Sequence, residues 1–320
     1  MTASGQTDGE RADPAAPRPS VAVLGLGSMG LGMATALLRA GFPVRGFDPT
    51  AGRAEAFRAA GGETAASPAA AADGAACVVS VVVNAAQTEA VLFGEGGCAG
   101  SMAEGGVFVS CATVAPEVAR ALAARLGREG RRYLDAPMSG GSVRAAEGAL
   151  TMMLSGTPDA VADARPVLDA MCSTVHVLGN EAGPGSAFKM VNQLLAGVHV
   201  AAACEAIAFA AREGLDLRRV YEVISGAAGN SWMFGNRVPH VLDGDYAPYS
   251  TVEILIKDLG IILDMARARQ FPVPVAGAAL QMFLMAGAAG MGKDDDSSVT
   301  KVYAKLAGLE LPTAAGAPGE

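Results

Sequence analysis

The sequence predicts an α/β protein in which a doubly wound parallel sheet is followed by an all-helical domain. Three observations carry that prediction. From residue 20 to about residue 180, short runs rich in Val, Leu and Cys alternate with Ala-rich helical stretches, the order expected of a parallel sheet wrapped by helices. The first run enters its helix through closely spaced glycines. After Gly185 the texture changes, and residues 186–213 contain a single Gly, Gly197, and no Pro.

Taken in order, SVAVLGLG (20–27) reads as a buried first strand, and LGMATALLRAG (31–41) as a helix stopped by Gly41. PVRGFD is a second strand ending in Asp48, with a helix to Ala60. CVVSVVVN (77–84), VFVSCAT (107–113) and YLDAPMS (133–139) are further strands. TMMLSG (151–156) and TVHVLG (174–179) read as late strands of the same domain, with a helix over 158–171 between them. Helices are then expected over 186–213, 216–227, 252–269, 275–289 and 297–306. This sets a sheet domain at 19–182 and a helical domain at 183–308, between a disordered tail (1–18) and a mobile one (309–320). NSWMFGNRVPH (230–240) holds the only Trp and reads as a loop, either packed or lining a pocket.

The composition narrows the class of function. A net charge of −8 disfavours nucleic acid and anionic membrane as partners. Five Cys without a CxxC pair point to free thiols in a reducing, cytoplasmic setting. Three scattered His give no metal-site spacing, so no metal is expected. Gln270–Gly292 lacks charge, but Pro272, Pro274 and its small residues make it a core or subunit-interface helix rather than a membrane span.

The glycine turn carries the first functional motif, Gly25-Leu26-Gly27-Ser28-Met29-Gly30. It follows a strand and opens a helix, so helix N–H groups can meet a pyrophosphate. Asp48 lies 18 residues past Gly30 (48 − 30) at the end of the second strand. A carboxylate there suits an adenosine ribose and repels a 2′-phosphate, so the expected cofactor is NAD in a Rossmann-type domain. The alternative is a Gly-rich turn with a solvated Asp.

The second motif turns on one residue type. The chain has 24 basic residues and only five Lys, the first of them Lys189 in GPGSAFKMVNQ. Lys can lose its proton when buried and Arg cannot. On a helix Lys189, Asn192 and Gln193 share a face, at the junction where the two domains meet. Lowering a Lys from about 10.4 to about 7–8 costs roughly 3–5 kcal/mol, a cost that general-base chemistry would explain. The alternative is a snorkelling Lys with two ordinary polar neighbours. Ser139-Gly140-Gly141 offers a hydroxyl and unencumbered amides to a carboxylate, or is a plain turn. His199 reads as a hydrogen-bonded core residue. Lys257-Asp258 is either an exposed pair or a cation reaching an anionic ligand. Asp294–Asp296 reads as a helix N-terminal charge cluster.

Together GLGSMGLGMATAL, DAPMSGG, GPGSAFKMVNQ and KDLG resemble the β-hydroxyacid dehydrogenase family over residues 20–306. The resemblance implies Lys189 as general acid/base, Ser139 to Gly141 on the substrate carboxylate, and Asn192 orienting the substrate. It also implies Thr113 beside the nicotinamide and Lys257 lining the closed site. The family motif has Asn at the position of Gln193, and the longer amide suits a substrate with more hydroxyls. KMVNQLLAGVH is similar to the branch that oxidises L-threonate, with Gln193 helping to orient hydroxyls. The implied enzyme acts on a short hydroxy acid, and the apolar character of the helical domain leads to the expectation of a homodimer or homotetramer. Oxidation of 3-hydroxyisobutyrate, reduction of tartronate semialdehyde and a redox-sensing NAD-binding module without turnover stay open.

Overall fold

The computed structural model describes residues 18–314, so the N-terminal tail expectation, apart from its final residue, and the last six residues fall outside the described residues. Strands β1 (Val21–Leu24), β2 (Val44–Phe47), β3 (Glu63–Thr64), β4 (Cys77–Ser80), β5 (Val107–Ser110) and β6 (Arg132–Asp135) form one parallel sheet in the order β3-β2-β1-β4-β5-β6. β1, β4 and β5 are buried along their whole length, because a parallel sheet covered by helices on both faces leaves no solvated side. The crossovers are α1 (Ser28–Arg39), α2 (Ala51–Ala59), α3 (Pro68–Ala72), α4 (Ala85–Phe93) and α5 (Pro116–Gly127). Two apolar clusters form, one around Leu26, Met33 and Val79 and the other around Leu24, Phe108 and Leu126.

The segment 133–139 does not run as one strand. β6 stops at Asp135, and β7 (Met138–Ser139) starts a separate sheet with β8 (Leu150–Leu154) and β9 (Cys172–Val177), after α6 (Gly141–Glu147) and on either side of α7 (Pro158–Met171). β7 and β8 are antiparallel, whereas β8 and β9 are parallel. Pro137 has no N–H to give a ladder, and its carbonyl takes the Met153 N–H at 2.8 Å. The chain turns out of the parallel sheet there. An antiparallel bridge between Asp135 and Ser155 joins the two sheets.

α8 (Pro184–Arg212) leads into α9 (Leu217–Ser225), α10 (Trp232–Asp243), α11 (Val252–Ala268), α12 (Pro274–Ala286) and α13 (Val299–Ala307). Met190, Leu255, Leu259, Phe283 and Val302 share the main core of this part. α12 buries one face there through Ala276, Ala279, Leu280, Phe283 and Ala286. α10 replaces the loop expected over 230–240. Gly235 and Pro239 disguise it in the sequence, since a Pro inside a helix leaves the carbonyl four residues earlier without its donor. That carbonyl belongs to Gly235, and Tyr221 Oη donates to it at 3.1 Å. Ser231 Oγ caps the start by accepting the Phe234 N–H at 3.0 Å.

The acidic triplet divides its work. Asp295 caps the turn Asp296–Ser298, accepting the Ser297 N–H at 3.0 Å. Asp296 is buried against Arg237 on α10, with Nε to Oδ1 at 2.6 Å. Leu311 packs against the α10 cluster, so the described part of the C-terminal segment lies on the helical domain.

Candidate active site

The turn after β1 is shaped by what its glycines exclude. Gly25 has a φ of +94°, and a Cβ there would sit 2.6 Å from the Val81 carbonyl oxygen. A Cβ on Gly30 would overlap the Gly25 oxygen at 1.8 Å, so α1 can start this close to β1 only without it. Gly27 is different. Its missing Cβ would meet nothing nearer than the Arg53 guanidinium at 3.9 Å, which leaves open space beside the backbone. α1 starts from Gly27 with no side-chain cap and no acidic residue in its first turn, so N–H groups near Ser28 and Met29 are available to an anion. These residues fit a dinucleotide pyrophosphate. Asp48 directly follows the last residue of β2, and both its oxygens are engaged: Oδ2 accepts the Leu26 N–H and Oδ1 the Thr50 N–H, each at 2.8 Å. Arg53 Nη1 lies 3.5 Å from Oδ2.

The second stretch runs from Asp135 to Gly141. Gly140 and Gly141 have φ values of +138° and +76°, and the space around a Gly141 Cβ is open. Ser139 is half-buried beside them.

The third is α8, whose start is anchored from a distance. Asp135 is 1% exposed. Its Oδ2 accepts the Gly183 and Ser186 N–H groups at 3.0 and 2.7 Å, and its Oδ1 accepts Ser186 Oγ at 2.7 Å. Ser155 Oγ takes the Gly185 N–H at 2.9 Å. Gly185 has to be Gly, since a Cβ would lie 2.5 Å from the Met153 oxygen. Asp135 was not singled out by sequence reasoning as a helix anchor. Capping signals are local, and this cap comes from 51 residues earlier in the chain.

From that anchor, the second turn of α8 brings Lys189 to Met138, its Nζ donating to the carbonyl at 2.7 Å. The lysine motif and the Ser-Gly-Gly turn therefore meet. Lys189 is 7% exposed. Burial lowers its ammonium pKa from 10.5 to about 8, Asp258 pulls it back up, and Lys257 pushes it further down.

Lys257 and Asp258 form a link between a half-buried Lys and a buried Asp rather than an exposed pair. Lys257 Nζ contacts Asp258 Oδ1 at 2.6 Å and reaches the Thr113 carbonyl, past the end of β5, at 3.2 Å. Thr113 thus meets the helical domain through its backbone. Asp258 Oδ2 accepts Gln193 Nε2 at 2.5 Å, and Gln193 Oε1 accepts Asn192 Nδ2 at 2.9 Å. The amide of Gln193 is held by protein at both ends. Asn192 shares the Lys189 face and is half-buried. His199 is half-buried, not deep in the core, and Trp232 is 63% exposed at the first residue of α10.

Two family models cover most of the chain: residues 20–179 match the NAD binding domain of 6-phosphogluconate dehydrogenase, and residues 183–303 match the NAD-binding domain of NADP-dependent 3-hydroxyisobutyrate dehydrogenase. L-threonate dehydrogenase of Cupriavidus necator is 51% identical, covering 92% of this chain and 98% of that protein. The chain belongs to the β-hydroxyacid dehydrogenase family. The crystal structure of 3-hydroxyisobutyrate dehydrogenase from Salmonella typhimurium is 46% identical to this dehydrogenase, with a TM-score of 0.85 over 88% of this chain and 99% of that one. The complex of Psf3 with NADP+ and 2-OPP is 25% identical, with a TM-score of 0.81 over 88% and 99%. The dehydrogenase is therefore an oxidoreductase using a nicotinamide dinucleotide to oxidise a hydroxy acid, and the reading as a binding module without turnover gives way.

Proposed function

We propose that this dehydrogenase oxidises L-threonate to its 2-oxo acid with NAD and that Lys189 is the general base. The observation that carries the chemistry is the buried Lys189 amine, 2.7 Å from the carbonyl of Met138, the residue directly before the Ser139-Gly140-Gly141 turn. The similarity to L-threonate dehydrogenase over nearly its whole length supports the choice of acid. Ser139 Oγ and the amides of Gly140 and Gly141 hold the carboxylate. The neutral amine takes the proton of the C2 hydroxyl while the hydrogen on C2 leaves with its electron pair, so C–O becomes C=O. A dinucleotide held by its pyrophosphate along Gly25–Gly30 would supply the hydride acceptor through its nicotinamide. Lys257 ties α11 to the segment after β5 through the Thr113 carbonyl.

NAD reduction against L-threonate, 3-hydroxyisobutyrate and glycerate, with NADP in parallel, tests this reading. Turnover concentrated on L-threonate supports it. Preference for 3-hydroxyisobutyrate would favour the activity named for the Salmonella typhimurium structure and overturn the sugar-acid assignment alone. The expected preference for NAD over NADP is about 10- to 100-fold, because like charges brought together cost several kcal/mol. Arg53, half exposed beside Asp48, offsets part of that repulsion. Equal kcat/KM for the two cofactors would remove Asp48 as the selector.

A homo-oligomer is part of the same proposal. Phe188, Val191 and Leu195 form an apolar row on α8, each about half or more exposed, and such rows mark contact surfaces. Light scattering during gel filtration is expected to give at least the mass of a dimer, and a monomer at micromolar concentration would reject this part.

A further inference from the structure

Gln193 occupies a place that the substrate does not need to reach. Its nitrogen faces Asp258 at 2.5 Å and its oxygen faces Asn192 at 2.9 Å. The direction of this chain is set at Asp258, which is buried and paired with the Lys257 ammonium at 2.6 Å. An ionised carboxylate offers only acceptors, so the Gln193 nitrogen has to turn toward it. The Gln193 oxygen must then face Asn192, and Asn192 must answer with its nitrogen. An amide that could otherwise flip end for end is held one way round by a charge two side chains away. With its nitrogen end turned to Gln193, Asn192 keeps Oδ1, an acceptor, and the second hydrogen of Nδ2 without a protein partner among the described residues, on the helix face of Lys189.

We infer that Asp258 and Gln193 act as an orienting relay that presents Asn192 Oδ1 to a second, non-reacting hydroxyl of the substrate. Gln193 is thus a positioning residue and Asn192 the contact. The extra methylene of Gln over Asn is what lets one amide on α8 span from Asn192 to a carboxylate on α11. This inference rests on the substrate being a polyhydroxy acid.

The test compares kcat/KM for L-threonate with that for 2-hydroxybutanoate, which has the same carbon chain but lacks the hydroxyls beyond C2. The wild type is expected to favour L-threonate. Gln193→Met keeps the length and removes both hydrogen bonds, and Gln193→Asn keeps an amide that is too short to bridge. Each is read once it binds NADH with wild-type affinity. In both, the threonate-to-hydroxybutanoate ratio is expected to fall about 10- to 100-fold, the scale of one misplaced buried hydrogen bond. A ratio within about threefold of wild type, with both acids losing activity together, overturns the relay while leaving the substrate reading intact. A wild type that favours 2-hydroxybutanoate overturns the polyhydroxy reading itself, and the relay with it.

Discussion

Lys189→Arg is expected to lower kcat/KM for hydroxy-acid oxidation by about 10²- to 10⁴-fold, the usual worth of a positioned acid or base, while NADH still binds. Arg keeps the charge and most of the length, but its guanidinium does not deprotonate in proteins. The wild-type amine does so easily because burial has already lowered it to about 8. The base form is the neutral one. Oxidation should therefore rise about tenfold per pH unit below about 8 and level off above it, and the Arg variant should lack that limb. A variant retaining a tenth of wild-type activity with the limb intact would show that another group removes the proton.

The same depressed pKa makes Lys189 a cost to folding. Between about 8 and 10.5 the unfolded chain holds the lysine proton and the folded chain does not, so stability from this group increases with pH across that window. Below it the full penalty applies, on the order of 3 kcal/mol. Lys189→Met should remove most of that penalty, less the lost bond to the Met138 carbonyl. It is expected to melt at a higher temperature than wild type at pH 7 and to be inactive. A lower melting temperature would mean that the hydrogen bond to Met138 outweighs desolvation.

Asp135→Ala is expected to cost about 3–5 kcal/mol of stability, because it strands buried donors that each cost about 1–3 kcal/mol when unpaired. The stranded groups are the Gly183 and Ser186 N–H and the Ser186 hydroxyl. The damage should extend to turnover. α8 is seated on β6 through this carboxylate, and Lys189 lies one turn beyond Ser186, so a shifted helix start moves Lys189, the proposed base. Asp135→Asn keeps the shape and an acceptor and should lose less on both measures. Urea unfolding checks the first effect and the pH–rate profile the second. A change within about 1 kcal/mol in Asp135→Ala would mean that water replaces the carboxylate.

Sequence alone determined the features whose causes are short-range. Apolar runs two faces deep made β1, β4 and β5 central strands. The φ requirement at Gly25 and the close approach at Gly30 are legible as a glycine spacing between a strand and a helix. Helical periodicity put Lys189 and Asn192 on one face of an uninterrupted α8. Where a local rule was broken and repaired from elsewhere, the sequence misled. Pro239 and Gly235 read as a loop because the repair, Tyr221 Oη, sits on α9. Pro137 hid the change from one sheet to the other.

Only the tertiary structure decided how the polar side chains are employed. Gln193 bonds to Asp258 across 65 residues, Asp135 to Ser186 across 51, and Lys257 to Thr113 across 144. Residue type and spacing carry the capacity for those bonds but not their partners. A hydrogen bond requires donor and acceptor within about 3 Å and well aligned, and that alignment exists only after the sheet and the helices have packed. The proposal of a lysine base drew on its neighbours in the chain, whereas the bonds of the amide beside it could be understood only from its neighbours in space.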